Sequence, residues 1–273
     1  MGEPADRVRE AADFLRSRGV GRVDAAFVLG SGLSGALPLE RPVAVPFEEI
    51  PGFPRGRVSG HPRRLEWGVV AGASCLVARG RVHYYEGVDL PAVTFPVRVA
   101  RALGARWIGL TSAAGALRPG FDVGNIVVIT DHLNLLGESP LAGPNDDELG
   151  TRFPDLSSAY DRALVEHAEA AARETGIPVR RGVYVAVSGP QFETPSELRM
   201  LRALGGDLVG MSTVPETIVA VHAQLRVLAL SVVTDLAFGE APAPLAHERV
   251  VAAAEAAAGR VGKILEGVLR RKP

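Results

Sequence analysis

The chain has 273 residues, 47% hydrophobic and 22% charged, which is enough to bury a sizeable core and too apolar for a disordered chain. Its formal net charge of −1 argues against a surface that coats nucleic acid or an anionic membrane. Lysine occurs only at Lys263 and Lys272, and cysteine only at Cys75, so a mid-chain Schiff-base or phosphate-loop lysine, a disulfide framework and a cysteine-rich metal site are all excluded.

The N-terminal segment is charged and carries no apolar signal core, and no apolar run reaches the roughly 18 residues of a membrane span, so a cytoplasmic location is expected. Val8, Ala11, Ala12 and Leu15 fall on one stripe, which predicts an amphipathic helix over 4–18. Asp24–Gly30 reads as a short buried strand. The proline-rich stretch 36–66 is irregular, with a short strand at Val43–Val45. Leu65–Val70 and Ser74–Ala78 read as a hairpin about Ala71–Gly72, with Cys75 as an inert buried thiol in it. A helix over Pro91–Leu103 and strands over Arg106–Thr111 and Asn125–Thr130 follow. Residues 136–154 form a long polar loop, and Ser157 and Ser158 are placed to cap a helix over Asp155–Glu174. Strands over Gly182–Val187, Asp207–Val209 and Val227–Thr234 alternate with helices near 195–203 and 213–223, and an alanine-rich helix covers 244–270. The pattern predicts a single α/β domain, 1–273, with a mixed central sheet flanked by helices.

Two strand-to-helix junctions carry poor core material. One holds Gly189, Pro190, Phe192 and Glu193; the other holds Gly210, Met211, Ser212 and Thr213. Such junctions suit a flat, polar-edged ring beside an anion. GSGLSG at 30–35 follows a strand and has three readings. As a dinucleotide fingerprint it needs an immediate helix and an acidic strand end about 20 residues on, yet Pro38, Pro42, Pro46 and Pro51 interrupt that stretch. As an anion loop it offers backbone N–H groups and the Ser31 hydroxyl. As a bare tight turn it binds nothing.

Arg81 and His83 are two apart, so in extended chain they share a face and present donors suited to phosphate; a solvated arginine and a half-buried histidine are the alternative. Tyr84 and Tyr85 cannot share a face, so one belongs to the core and the other reaches the site. His61, in a Gly/Pro loop, is either exposed or a phosphate contact. TSAAGAL (111–117) ends a strand in small residues that let a ligand approach backbone donors or simply make a tight turn. Asp235 ends the last strand, at the carboxyl edge where open α/β sheets bind ligands, unless it is a cap or a surface acid. No zinc spacing or nucleophile triad occurs, so no metal is expected.

In this order GSGLSG, GRVHYYEG, TFPVRVARALG, TSAAGAL, DHLNLLG with GPND, SGPQFET and VGMSTVPE resemble the trimeric purine nucleoside phosphorylases, with the methylthioadenosine phosphorylases close to them. The resemblance runs from about Asp24 to the C-terminal helix. It implies that Ser31, His61, Arg81, His83, Ala113 and Ser212 surround inorganic phosphate, and that Tyr85, Met211 and His247 line the sugar. It assigns Phe192, Glu193, Val209, Thr234 and Asp235 to the base, with His83, Glu193 and Asp235 as the catalytic set. Phe153 matches an aromatic that reaches the neighbouring subunit's sugar, which implies a homotrimer. The implied reaction is phosphorolysis of purine ribo- and deoxyribonucleosides, with phosphate as co-substrate and no cofactor, nucleic acid or membrane partner.

Two positions depart from the family pattern: Asp235 and Ser112 stand where asparagine is usual. A carboxylate only accepts hydrogen bonds, which suits the amino group of a 6-aminopurine. Glu193 points instead to 6-oxopurines, and His247 to a hydroxylated 5′ carbon. A base preference widened or shifted towards 6-aminopurines is expected. Methylthioadenosine phosphorolysis is the nearest alternative, and a dinucleotide-dependent oxidoreductase the more distant one.

Overall fold

A computed structural model describes residues 4–56, 62–238 and 246–273. Among these, the strands are β1 (Ala25–Leu29), β2 (Glu40–Pro46), β3 (Arg64–Val70), β4 (Ala73–Arg79), β5 (Trp107–Ala116), β6 (Ile126–Asn134), β7 (Val179–Ala186), β8 (Leu208–Gly210) and β9 (Arg226–Leu236). The helices are α1 (Pro4–Ser17), α2 (Leu90–Ala102), α3 (Arg162–Glu174), α4 (Pro195–Ala203), α5 (Val214–His222) and α6 (His247–Arg270). One mixed sheet runs β2-β3-β4-β1-β5-β8-β7-β6-β9, and β9 also pairs in parallel with β5. The last five strands therefore close on themselves into a small barrel, while β2, β3 and β4 extend the sheet beyond it.

Alternation along β1 shows how the sheet divides the core. Ala26 and Val28 point towards α1, α2 and α5 with Val8, Val97 and Ile218; Phe27 and Leu29 point towards α3 and α6 with Leu164 and Ile264. Cys75 lies in the second layer, fully buried, and burial with the nearby Asp24 charge pushes its thiol up to about 12, as an inert buried thiol requires. No described helix is long and apolar enough to cross a membrane.

Two elements differ most from the sequence reading. β5 continues five residues past Thr111, because Ser112 and Ala113 pair with Ser231 and Val232 of β9 and Gly115 and Ala116 pair with β8. Their small side chains fit between two ladders rather than ending the strand. α3 begins at Arg162, capped by Asp161, whose carboxylate accepts the Leu164 N–H at 2.9 Å. Ser157 caps nothing: its N–H and hydroxyl donate to Asp155 in an exposed turn.

The 30–36 loop opens no helix and is clamped under α6. Gly32 takes φ +73, and a side chain there would lie 2.6 Å from the Val251 carbonyl oxygen. Gly262 packs on the same loop, where a Cβ would overlap the Ala36 carbonyl oxygen. Gly262→Ala is thus expected to destabilise the fold by about 1–3 kcal/mol through overpacking. Gly259→Ala, at an exposed position of the same helix with open space around it, is expected to stabilise by about 0.5–1 kcal/mol. Urea unfolding of the two variants checks the opposite signs.

Candidate active site

At the carboxyl ends of β1, β5 and β9, beside the starts of α5 and α6, lies a cavity of about 310 Å³. It gathers Ser31, Arg81, His83, Tyr85, Ala113, Phe192, Glu193, Val209, Met211, Ser212, Thr234, Asp235 and His247 from across the chain. Two expected site residues are not among them. His61 lies outside the described residues. Phe153 is 85% exposed, with the Arg152 guanidinium 5.4 Å from its ring centroid.

One end of the cavity is cationic. Arg81 is almost fully buried, and its Nη1 donates to the Ser212 hydroxyl at 2.9 Å and its Nη2 to the Val28 carbonyl at 3.3 Å. Glu216, from the first turn of α5, brings a carboxylate oxygen to 3.1 Å from Arg81 Nε. His83 is also buried; Glu86 accepts its backbone N–H at 2.8 Å and lies 3.4 Å from its Nδ1. The Tyr85 ring stacks on His83, with centroids 4.8 Å apart and planes 12° from parallel. Tyr85 thus reaches the cavity while Tyr84 packs against the core, one tyrosine for each face. Gly30 sets the loop wall: its N–H donates to the Thr111 hydroxyl at 3.0 Å, and a Cβ would lie 2.7 Å from the Thr111 carbonyl oxygen.

Ser212 is aimed by an uncommon turn. Thr213 has φ 71 and ψ −47, and the Val214 N–H donates back to the Ser212 carbonyl at 2.7 Å. This is a γ-turn of the strained sense at a β-branched residue, a conformation that costs about 1–3 kcal/mol and clusters at functional sites. Gly210, just before it, packs on the Tyr184 phenol, whose ionisation burial pushes upward.

The cavity also carries two carboxyls, close enough for the charge of one to act on the other. Burial raises Asp235 above the ordinary carboxylate range, opposed by a hydrogen bond from Thr234 at 3.0 Å. Burial also raises Glu193, and the charges of Asp235 and Glu197 raise it further. The two acids therefore compete for protons at one wall of the slot, with Phe192 beside them. A group whose carboxyl is raised in the fold contributes stability below its unfolded value, and that contribution is lost as pH climbs through the folded value. The unliganded protein is thus expected to lose stability from about pH 4 upward through these two groups. Asp235→Asn removes part of the loss, so calorimetry is expected to show its melting advantage growing from about pH 4 to pH 7; a gap that does not change with pH would contradict the assignment.

An oxyanion grip and a ring slot sharing one cavity define an α/β enzyme that brings an anion to a heterocyclic substrate. Among the described residues no cluster of three His, Cys, Asp or Glu side chains could hold a metal. The family model of the phosphorylase superfamily matches residues 24–270. Purine nucleoside phosphorylase 1 of Bacillus subtilis is 44% identical over 97% of this chain and 98% of its own. The purine nucleoside phosphorylase of Rattus norvegicus is 42% identical over 97% and 94%. The crystal structure of isoform 2 of the Schistosoma mansoni enzyme, in complex with cytosine and ribose-1-phosphate, superposes with a TM-score of 0.92 at 36% identity, covering 98% and 97% of the two chains. A Schistosoma mansoni purine nucleoside phosphorylase in complex with adenosine gives 0.92 at 34%, covering 98% of both. The chain belongs to the phosphorylase superfamily, within its purine nucleoside phosphorylases.

Sequence reading missed Glu216 and Glu86, the acids behind Arg81 and His83. In the sequence Thr213-Val-Pro-Glu216 has the form of a capping box, which turns a glutamate back onto the helix start. In the fold no side-chain cap bond forms there, and Glu216 is turned inward.

Proposed function

We propose that the protein splits the N-glycosidic bond of purine ribo- and deoxyribonucleosides with inorganic phosphate, releasing the base and a pentose 1-phosphate. The observation that carries this is the convergence of Arg81, His83 and Ser212 with Phe192, Glu193 and Asp235 in one cavity. In this reading Ser31, the Ala113 backbone and His61 complete the phosphate site, and Tyr85, Met211 and His247 hold the sugar. Val209 and Thr234 close the base slot.

As the C1′–N9 bond stretches, its electron pair moves into the purine and the sugar gains oxocarbenium character. Phosphate, held by Arg81, His83 and Ser212, stabilises that cation and forms the new C1′–O bond. The negative charge on the purine is met at N7 by a hydrogen bond that Asp235, in its protonated form, donates, while Glu193 accepts from the ring N–H at the far edge and holds the base in place. Preorganised donors of this kind are worth about 10²–10³-fold each. Inorganic phosphate is a co-substrate, and no cofactor enters.

Asp235 carries the proposal about base choice. Ionised, it accepts from a 6-amino group; protonated, it donates to a 6-oxo group. Burial shifts its ionisation upward, so the donating form persists to higher pH than in an exposed aspartate. We assign the enzyme a preference widened to 6-aminopurines. The same residue favours methylthioadenosine as a second reading, which Glu193 and His247 oppose. Release of base from inosine, guanosine, adenosine, deoxyinosine and methylthioadenosine, each with and without phosphate, tests both. Cleavage of the first four only when phosphate is present is expected; cleavage without phosphate, or of methylthioadenosine alone, would overturn the assignment.

The proposal extends to one domain over 1–273, a cytoplasmic protein, and a homotrimer in which Phe153 covers a neighbour's sugar. The exposed Phe153 ring, apart from its own chain's cavity, supports the last point. Light scattering is expected to return the mass of three chains; a monomer would contradict it.

A further inference from the structure

We propose that Glu216 is the positioning residue of the oxyanion clamp, holding Arg81 by its Nε edge so that the terminal nitrogens serve the cavity. The inference rests on the phosphorolysis reading above. Both side chains are almost completely enclosed, 3% and 2% exposed, and the nearest atoms are 3.1 Å apart. The contact is a charge pair rather than an aligned hydrogen bond, since neither Glu216 oxygen nor Arg81 Nε has a hydrogen-bond partner of good geometry among the described residues. Each terminal nitrogen of Arg81 carries two hydrogens. One of Nη1 goes to Ser212 and one of Nη2 to Val28, which leaves a second hydrogen on each for a bidentate oxyanion.

The same γ-turn couples Glu216 to the site. Thr213 at φ 71 throws Ser212 towards Arg81 and starts α5 so that Glu216, three residues on, faces inward. The carboxylate thereby sits at the positive end of the helix as well as beside the guanidinium. A buried ion pair adds little net stability against apolar packing, so its value here lies in placing Arg81. The Tyr184 phenol feels the charges of both members, which marks them as one buried cluster behind the anion site.

Glu216→Gln and Glu216→Asp test this with inorganic phosphate and inosine as the varied substrates. Glu216→Gln is expected to raise the phosphate KM at least about 10-fold while the inosine KM stays within about 3-fold, because only the anion clamp loses its orientation. Glu216→Asp, which keeps the charge one methylene further back, is expected to recover part of the loss. The rise in melting temperature on adding phosphate is expected to shrink in the same order. An unchanged or lower phosphate KM in Glu216→Gln, or parallel changes in both KM values, would overturn the proposal. Should Glu216→Gln fail to fold, a phosphate-selective rise in Glu216→Asp still supports it and the lack of one overturns it. Wild-type protein that cleaves nothing with phosphate would sink the phosphorolysis reading instead, while the phosphate-dependent melting shift of the variants still reads out Glu216.

Discussion

Replacing Arg81 with alanine is expected to remove activity and stability together. The guanidinium is the one arginine lining the cavity among the described residues, and its fork is aimed by Ser212, Val28 and Glu216. Without it kcat/KM for phosphate should fall by about 10²–10³-fold, the loss typical of a preorganised charge-stabilising donor. The same substitution leaves the Glu216 carboxylate buried without its counter-charge, which costs about 3–5 kcal/mol. Steady-state kinetics and urea unfolding read the two losses separately. The double variant Arg81→Met with Glu216→Leu removes both charges, so it is expected to recover most of the stability and none of the activity. Recovery of activity in the double variant would contradict the role given to Arg81.

The second large effect is expected at Asp235→Asn. Asparagine keeps the shape of the side chain and adds a donor, so inosine and guanosine gain a partner at O6 whatever the pH. Adenosine loses its best acceptor, and its kcat/KM is expected to fall about 10²-fold while that of inosine holds or rises. A site that hydrogen-bonds a substrate group discriminates strongly against analogues that leave the site's own polar atoms unpaired, and this makes the swing large. Kinetics on the two nucleosides across a pH series starting in the ordinary carboxylate range checks it, with the selectivity of the wild type turning towards adenosine as pH rises and that of the variant flat. An unmoved adenosine-to-inosine ratio would remove Asp235 from base selection.

Much of this site was legible in the chain because its residues sit where a core has no use for them. Phe192, Glu193, Met211 and Ser212 occupy strand-to-helix junctions, and all four line the cavity. Arg81 and His83 share a face by the two-residue period of extended chain, and both reach the same end. Other features depend on contacts that no local pattern carries. The closure of the barrel through β5 and β9 pairs residues more than a hundred positions apart, so the small residues after Thr111 read as a turn. Asp161 displaced Ser157 and Ser158 as the cap of α3 because both types of residue cap helices equally well and only the packing selects the start.

Glu216 shows the limit most clearly. Thr194 and Glu197 form a true capping box at α4, with Glu197 accepting the Thr194 N–H at 2.7 Å. Thr213 and Glu216 have the same spacing at α5 and make none. The difference lies in the Thr213 backbone, whose positive φ accompanies the turning of Ser212 and Glu216 towards Arg81.

A crystal structure with sulfate and hypoxanthine bound together tests most directly whether anion grip and ring slot serve one reaction. Sulfate is expected within hydrogen-bond reach of Ser31, Arg81, His83 and Ser212, with the purine beside Phe192 and its edge on Glu193 and Asp235, leaving space between them for one pentose. Sulfate and purine bound in separate places, or a purine turned away from Glu193 and Asp235, would contradict it.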